Sequence, residues 1–384
     1  MARRDGYFIV LLFALTLAAY ANSFHAPFIL DDIHTIVRNF GLRDLSDLVS
    51  VFTYDYAGRP FLFLTFALNF AVGELNPFGY HVVNFALHFG SSILVYFIIQ
   101  DLFKRAGVIS AGYAAFGSLL FALHPLNVET VTYLSSRSSG LCTFLYLLSF
   151  HIAVKSGHKR WYHYTLAIAA FILALFTKEL AVTLPLILTL FIFQFEGMPG
   201  LAKNRRLLVF FWMILPLFFL YRTVALGNPI EAPDLEPINR PHLMTYFLTQ
   251  LDVVGTRYLP RLFFPVNLLF DAGVLFKKSI FDPRVLTGGF VLGALFAYAV
   301  KSFRSNPPLS FGILWFFITL SVTSSFIPIL DPYVEHRLYI ALPGFCLAIS
   351  AVAQKIIARY PGALKGAVTA AAVVIVIFGS LTYA

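Results

Sequence analysis

Apolar residues in this chain fall into long unbroken stretches, with polar residues confined to short punctuation between them. A helix that crosses about 30 Å of hydrocarbon needs roughly 20 mostly apolar residues. Runs suited to that task lie at about 7–23, 79–102, 108–123, 139–154, 161–176, 180–195, 207–224, 285–300, 309–327, 338–356 and 365–384. They predict an all-α polytopic membrane protein with eleven spans. Residues 60–73 are apolar but short, about 20 Å as a helix, and are expected at the interface or packed in protein. Residues 244–265 are long enough to cross but carry Asp252, Arg257 and Arg261, and are expected as a helix lying at the outer surface. Between 42 and 52, Leu42, Leu45, Leu48, Val49 and Phe52 form a helical stripe opposite Asp44 and Asp47. That stripe predicts an amphipathic juxtamembrane helix, or a helix packed on the core.

Composition narrows the class. Apolar residues make up 59% and charged residues 12% of the 384, against about 45–50% and 25% in soluble domains. One soluble core cannot bury that excess, so a soluble enzyme, a disordered chain and a nucleic-acid-binding module are excluded. The two cysteines, Cys142 and Cys346, lie inside apolar runs and offer neither a disulfide framework nor a thiolate zinc site. No N-x-S/T sequon occurs.

The net charge of +9 becomes informative once it is divided between the two sides of a membrane. With the amino terminus in the cytoplasm, the cytoplasmic segments hold 15 of the 28 cations and three acids, Asp5, Asp101 and Glu196; the other side holds 13 cations and 16 acids. This is the asymmetry of the positive-inside rule. The first run ends near Ala19-Tyr20-Ala21, which resembles a signal-peptidase site; an uncleaved anchor is favoured because the loop after it looks tied to the membrane.

Chemistry therefore concentrates in outer loops, chiefly 24–78 and 225–284. Adjacent Asp31 and Asp32 follow the first run; two such carboxylates repel, so one should have a raised pKa and suit a general base. The competing view is a helix cap or a topology-setting pair. The turns HPLNVET (124–130), with His124 and Glu129, and TKE (177–179), with Lys178 and Glu179, fall on the same side as Arg59 and Arg137. So does DPYVEHR (331–337), with Glu335, His336 and Arg337. Any one of these turns is ordinary when solvated. Together, acids near the first span and cations on later turns suit an anionic head group and a proton acceptor. No P-loop, HExxH or GxSxG motif is present. Adjacent aspartates cannot flank a glycosidic bond as a hydrolase's separated carboxylates do. A transporter of lipid-linked glycans and a non-catalytic membrane scaffold stay open beside an enzyme.

Six stretches carry a resemblance: FILDDIHTIVRN (28–39), GRPFLFLTFALNFAVGELNPFGYHVVNFALH (58–88), FALHPLNVETVTYLSSRSSGL (121–141), FTKELAVTLPLIL (176–188), YLPRLFFPVNLLFD (258–271) and FGILWFFITLSVTSSFIPILDPYVEHRLYIALPGF (311–345). In order and spacing the chain resembles the GT-C integral membrane glycosyltransferases. Among these it is most similar to the transmembrane and tetratricopeptide-repeat protein O-mannosyltransferases and their bacterial relatives. The resemblance implies a polyprenyl-phosphate sugar donor and inverting transfer on the extracytoplasmic face, in a bacterial inner membrane. The sugar is expected to be a mannose-type hexose, and the acceptor hydroxyl that of protein Ser or Thr, with lipid-linked glycans or a surface polymer as alternatives. An acid of the first outer loop acts as base in that family, matching Asp31 or Asp32, with Asp31 favoured. Arg59, Arg137, Lys178, His336 and Arg337 are candidates for the donor phosphate, with His124 and Glu129 shaping the site and an apolar groove between late spans for the lipid tail. No cofactor or metal site is expected, although Asp31, Asp32 and Glu129 could supply oxygen ligands to a divalent cation. Family members carry helical repeats after the last span. None is expected within 1–384, which is taken as one transmembrane catalytic domain.

Overall fold

The computed structural model describes residues 3–53, 58–109, 111–155, 161–226, 241–270, 273–325, 328–329 and 331–384. Residues 227–240 and 271–272 of the second outer loop, and Lys159 and Arg160, lie outside the described residues. Every one of the eleven apolar runs forms a helix: α1 (Arg3–Tyr20), α4 (Pro77–Arg105), α5 (Ala111–Ala122), α7 (Arg137–Lys155), α8 (Trp161–Leu175), α9 (Leu184–Lys203), α10 (Arg205–Leu226), α13 (Pro283–Lys301), α14 (Pro307–Leu320), α15 (Leu342–Arg359) and α16 (Leu364–Tyr383). The first outer loop contributes α2 (Leu48–Thr53) and α3 (Pro60–Gly73), the turn after α5 contributes α6 (Val128–Thr132), and the second loop contributes α11 (Leu243–Asp252) and α12 (Leu259–Phe263). There is no strand among the described residues.

Eight of these helices are long and apolar enough to cross a membrane; α5, α8 and α14 are apolar but shorter. For α14 the cause is local. The predicted run continues to 327, but the helix stops at Leu320, where Ser321 Oγ donates to the Ile318 carbonyl at 2.7 Å. Hydroxyls that bond nearby backbone compete with the helical ladder. Helix starts follow ordinary rules. Proline occupies the first turn of α4, α13 and α14, capped by Asn76, Asp282 and Asn306, whose side chains accept from the Phe78, Arg284 and Leu309 amides.

The stripe at 42–52 does not form one helix. Asp44 accepts from the Ser46 amide and hydroxyl, and Asp47 from those of Ser50. These side-chain turns break the stripe into a 3-10 turn, Phe40–Arg43, and a short α-helix, Leu48–Thr53. Leu42 and Val51 are buried with Ile36, Phe63, Phe66 and Tyr80 in a small core under the loop. By contrast, 243–263 is continuous as predicted, running from α11 through a π-helical segment, Val253–Tyr258, into α12.

Packing brings helix ends together at two poles. At one pole Arg105 meets Asp101 at 3.1 Å, Glu196 at 2.9 Å and the Val154 carbonyl at 3.0 Å. Tyr96 donates to Asp5 at 2.8 Å and Gln194 to the Phe303 carbonyl at 3.0 Å. These ends are the ones the charge count assigns to the cytoplasm. Two glycine contacts fix the late helices. A Cβ on Gly312 would lie 2.5 Å from the Gly344 carbonyl oxygen, and one on Gly288 would lie 2.1 Å from that of Leu251. Only glycine lets α14 reach α15, and α13 reach α11, this closely.

Candidate functional site

The opposite pole gathers the ionisable turns. Asp32, just after the first span, is buried, at 1% exposure. Its Oδ1 accepts from the Ser135 amide at 2.7 Å and hydroxyl at 2.6 Å, and its Oδ2 from the Ile29 amide at 3.1 Å. Burial raises its pKa, while the Ser135 and Ile29 bonds pull it back. Asp31 is exposed. Its amide donates to the Tyr133 hydroxyl at 3.0 Å. Burial, then the neighbouring Asp31 carboxylate, raises the Tyr133 phenol. The pair thus divides as adjacent side chains must: one into the protein, one out.

From Tyr133, α6 leads back one turn, about 6 Å, to Glu129. Both Glu129 oxygens are taken by His336, at 2.6 Å from Nδ1 and 3.0 Å from the amide. Burial lowers the His336 pKa, and the charge of Lys178 lowers it further. Lys178 donates to Ser139 at 2.9 Å, and beside it Glu179 lies 3.6 Å from Arg59. Glu335 is buried and accepts from Tyr333 at 2.6 Å, facing Arg261 at 3.1 Å. Burial raises its pKa. Arg337, 6% exposed, keeps one buried nitrogen, Nη1, without a hydrogen-bond partner. Asp31, Asp32, Glu129, Lys178, Glu179, Glu335, His336, Arg337 and Arg59 therefore form one connected crown.

Two other residues sit beneath it. Arg137 is wholly buried, and its guanidinium bonds Asn84 and Asn69 at 2.7 Å each, the Tyr80 carbonyl at 3.0 Å and Thr65 at 3.3 Å. It clamps α3 and α4 onto α7, with Phe66 stacked 4.5 Å from the cation. Its donors face protein, so the structure does not place it where a donor phosphate would sit. His124 is buried and meets the Leu262 carbonyl at 3.1 Å and the Leu126 amide at 3.3 Å; burial pushes its pKa down to about 4 against the opposing pull of the Leu262 bond. It shapes the floor. Asp32 and Glu129 point at Ser135 and His336, so the three acids considered as cation ligands do not converge. No group of three or more His, Cys, Asp or Glu able to hold a metal occurs among the described residues.

Sequence reasoning passed over Tyr133, Ser135 and Arg261. Tyr133 and Ser135 lie in the 121–141 stretch, as polar groups just ahead of a span, and that position is the signal that could have found them. Below the crown a groove of about 940 Å³ opens between α13 and the α14–α15 pair, walled by Phe290, Leu295, Ile313, Phe316 and Ile349 and roofed by α12. Arg261, on α12, joins this roof to Glu335.

An all-α bundle of apolar helices with ionisable turns gathered at one pole is a polytopic integral membrane protein. Within that class, the chain is similar to proteins named protein O-mannosyl-transferases. It is 24% identical to a protein O-mannosyl-transferase of Caenorhabditis elegans across 92% of this chain and 52% of that protein. It is 32% identical to protein O-mannosyl-transferase Tmtc1 of Drosophila melanogaster over 44% of this chain and 21% of the other, and 31% identical to human TMTC4 over 36% and 21%. The chain spans about half the length of the first of these and about a fifth of the other two is aligned to it. No family model matches the chain, and no solved structure matches it.

Proposed function

We propose that the chain transfers a mannose-type hexose from a polyprenyl-phosphate donor to a protein Ser or Thr hydroxyl on the extracytoplasmic side. The observation that carries this is the crown: an exposed carboxylate, Asp31, at one end of α6 and the cations Lys178 and Arg337 beside His336 toward the other, above an apolar groove. Asp31 takes the proton of the acceptor hydroxyl as its oxygen attacks the anomeric carbon. The bond from that carbon to the phosphate oxygen breaks, and polyprenyl phosphate leaves with the electron pair. The leaving group is already a stable anion, so no proton donor is required; cations and hydrogen-bond donors stabilise the developing charge. Arg337, Lys178 and Arg59 supply them, and Glu129 holds His336 in place. The groove between α13 and α14–α15 receives the lipid chain. The distribution of charge along the sequence supports the outer face, and the similarity to proteins named protein O-mannosyl-transferases supports sugar transfer to protein.

The test is purified protein in lipid nanodiscs with polyprenyl-phosphate mannose and a Ser/Thr-rich peptide. Released polyprenyl phosphate and mannosylated peptide should rise together. No transfer from any polyprenyl-phosphate hexose refutes the proposal.

A further inference from the structure

Beside Arg337 lies a second group of polar atoms that no step above uses. Tyr246 and Gln250 stand one turn apart on α11. The Tyr246 hydroxyl donates to the Thr323 carbonyl at 2.8 Å, and Gln250 Nε2 donates to the Pro332 carbonyl at 2.9 Å. These bonds bring α11, the turn after α14 and the start of the DPYVEHR segment to one place. The Arg337 charge acts on the Tyr246 phenol there. Around this point Gln250 Oε1, Thr323 Oγ1, Ser324 Oγ and Arg337 Nη1 are all buried without a hydrogen-bond partner. Gln250 is 2% and Thr323 5% exposed. Buried polar atoms are ordinarily paired, since leaving them unpaired costs the full loss of hydration.

The chemistry of the four atoms selects what they would bind. Gln250 Oε1 only accepts, the two hydroxyls both donate and accept, and Arg337 Nη1 only donates. An ionised phosphate offers no proton to Gln250, and an alkyl chain offers nothing to any of them. A ring bearing several hydroxyls, each able to donate and accept, satisfies the whole set. We infer that Gln250, Thr323 and Ser324, with the inner nitrogen of Arg337, form the subsite that reads the hydroxyls of the donor sugar. This rests on the proposed transfer and assigns its sugar selectivity to α11 and the turn after α14. Arg337 then faces both the sugar and the phosphate, which fixes the anomeric carbon between them.

The experiment measures binding of farnesyl phosphate, farnesyl-phosphate mannose and farnesyl-phosphate glucose to the full chain in detergent, together with transfer by the same preparation. The variants are Thr323→Val, which removes one hydroxyl at constant shape, and Ser324→Ala. Each should weaken farnesyl-phosphate mannose about tenfold, the worth of a buried hydrogen bond. Farnesyl phosphate affinity and melting temperature should stay unchanged, and the mannose-to-glucose preference should narrow. Ser324→Ala, on a partly exposed turn, guards against a variant that fails to fold. Unchanged mannosyl affinity overturns the inference, and so does equal weakening of all three probes. If the parent chain transfers sugar while the variants keep its preference, only this subsite fails; if the parent transfers nothing, the proposed function fails first.

Discussion

Replacing each of the two aspartates by asparagine separates chemistry from architecture. Asp31 is exposed and turned outward, so Asp31→Asn should leave folding intact. Removing a general base costs about 10²–10⁴ in rate, so transfer should fall by that factor with donor affinity retained. Asp32 is the opposite case. Its two oxygens take three bonds, two from Ser135 and one from the Ile29 amide. In Asp32→Asn the new amide can turn its oxygen toward Ser135, but its NH2 then faces the Ile29 N–H, donor against donor. Losing the charge also relieves the cost of burying it, so the net penalty is that of one orphaned donor with two weakened bonds, about 1–3 kcal/mol. Melting by intrinsic fluorescence in detergent, run beside the transfer assay, reads both effects. The reasoning is refuted if Asp31→Asn retains transfer, or if Asp32→Asn melts with the parent protein.

Three further outcomes follow from the same geometry. Arg137→Leu strands the oxygens of Asn84, Asn69, Thr65 and Tyr80 inside the bundle; a loss of about 3–5 kcal/mol is expected, and an unchanged melting temperature would remove its clamping role. Gly312→Ala drives a methyl into the Gly344 carbonyl, 2.5 Å away, and should cost about 1–3 kcal/mol; a variant as stable as the parent shows that α14 and α15 can separate freely. His124 is depressed from the usual 6.5 to about 4, so the unfolded chain takes up its proton first as pH falls. Its contribution of about 3 kcal/mol is complete above pH 6.5 and lost toward pH 4; His124→Gln should melt with a shallower acid slope, and identical slopes would exclude this source.

The helices were legible because the bilayer demands one simple pattern, and each run from 7–23 to 365–384 became a helix. Ends were less legible. The 309–327 run was shortened by Ser321, and the 42–52 stripe was cut by Asp44 and Asp47, since hydroxyls and carboxylates bonding their own backbone outweigh a periodic apolar face. The crown was legible as a set because charge is scarce in this chain. The division of labour within it was not. Arg137 looks like Arg337 in sequence, yet Asn69 and Asn84, polar residues inside apolar helices, take up donors of the first, while an inner nitrogen of the second is unbonded. Such pairings arise between residues far apart in the chain, and no local pattern encodes them.

The glycine contacts have a mechanical corollary. With α14 held tightly to α15 and α13 to α11, the apolar groove runs along the seam between two glycine-tight helix pairs. Under the proposed transfer, a long isoprenoid would enter that seam sideways from the leaflet and leave by the same flank, without passing through bulk water. A detergent tail, also an alkyl chain, would compete for this apolar groove, so under the same proposal turnover in micelles should trail turnover in a bilayer.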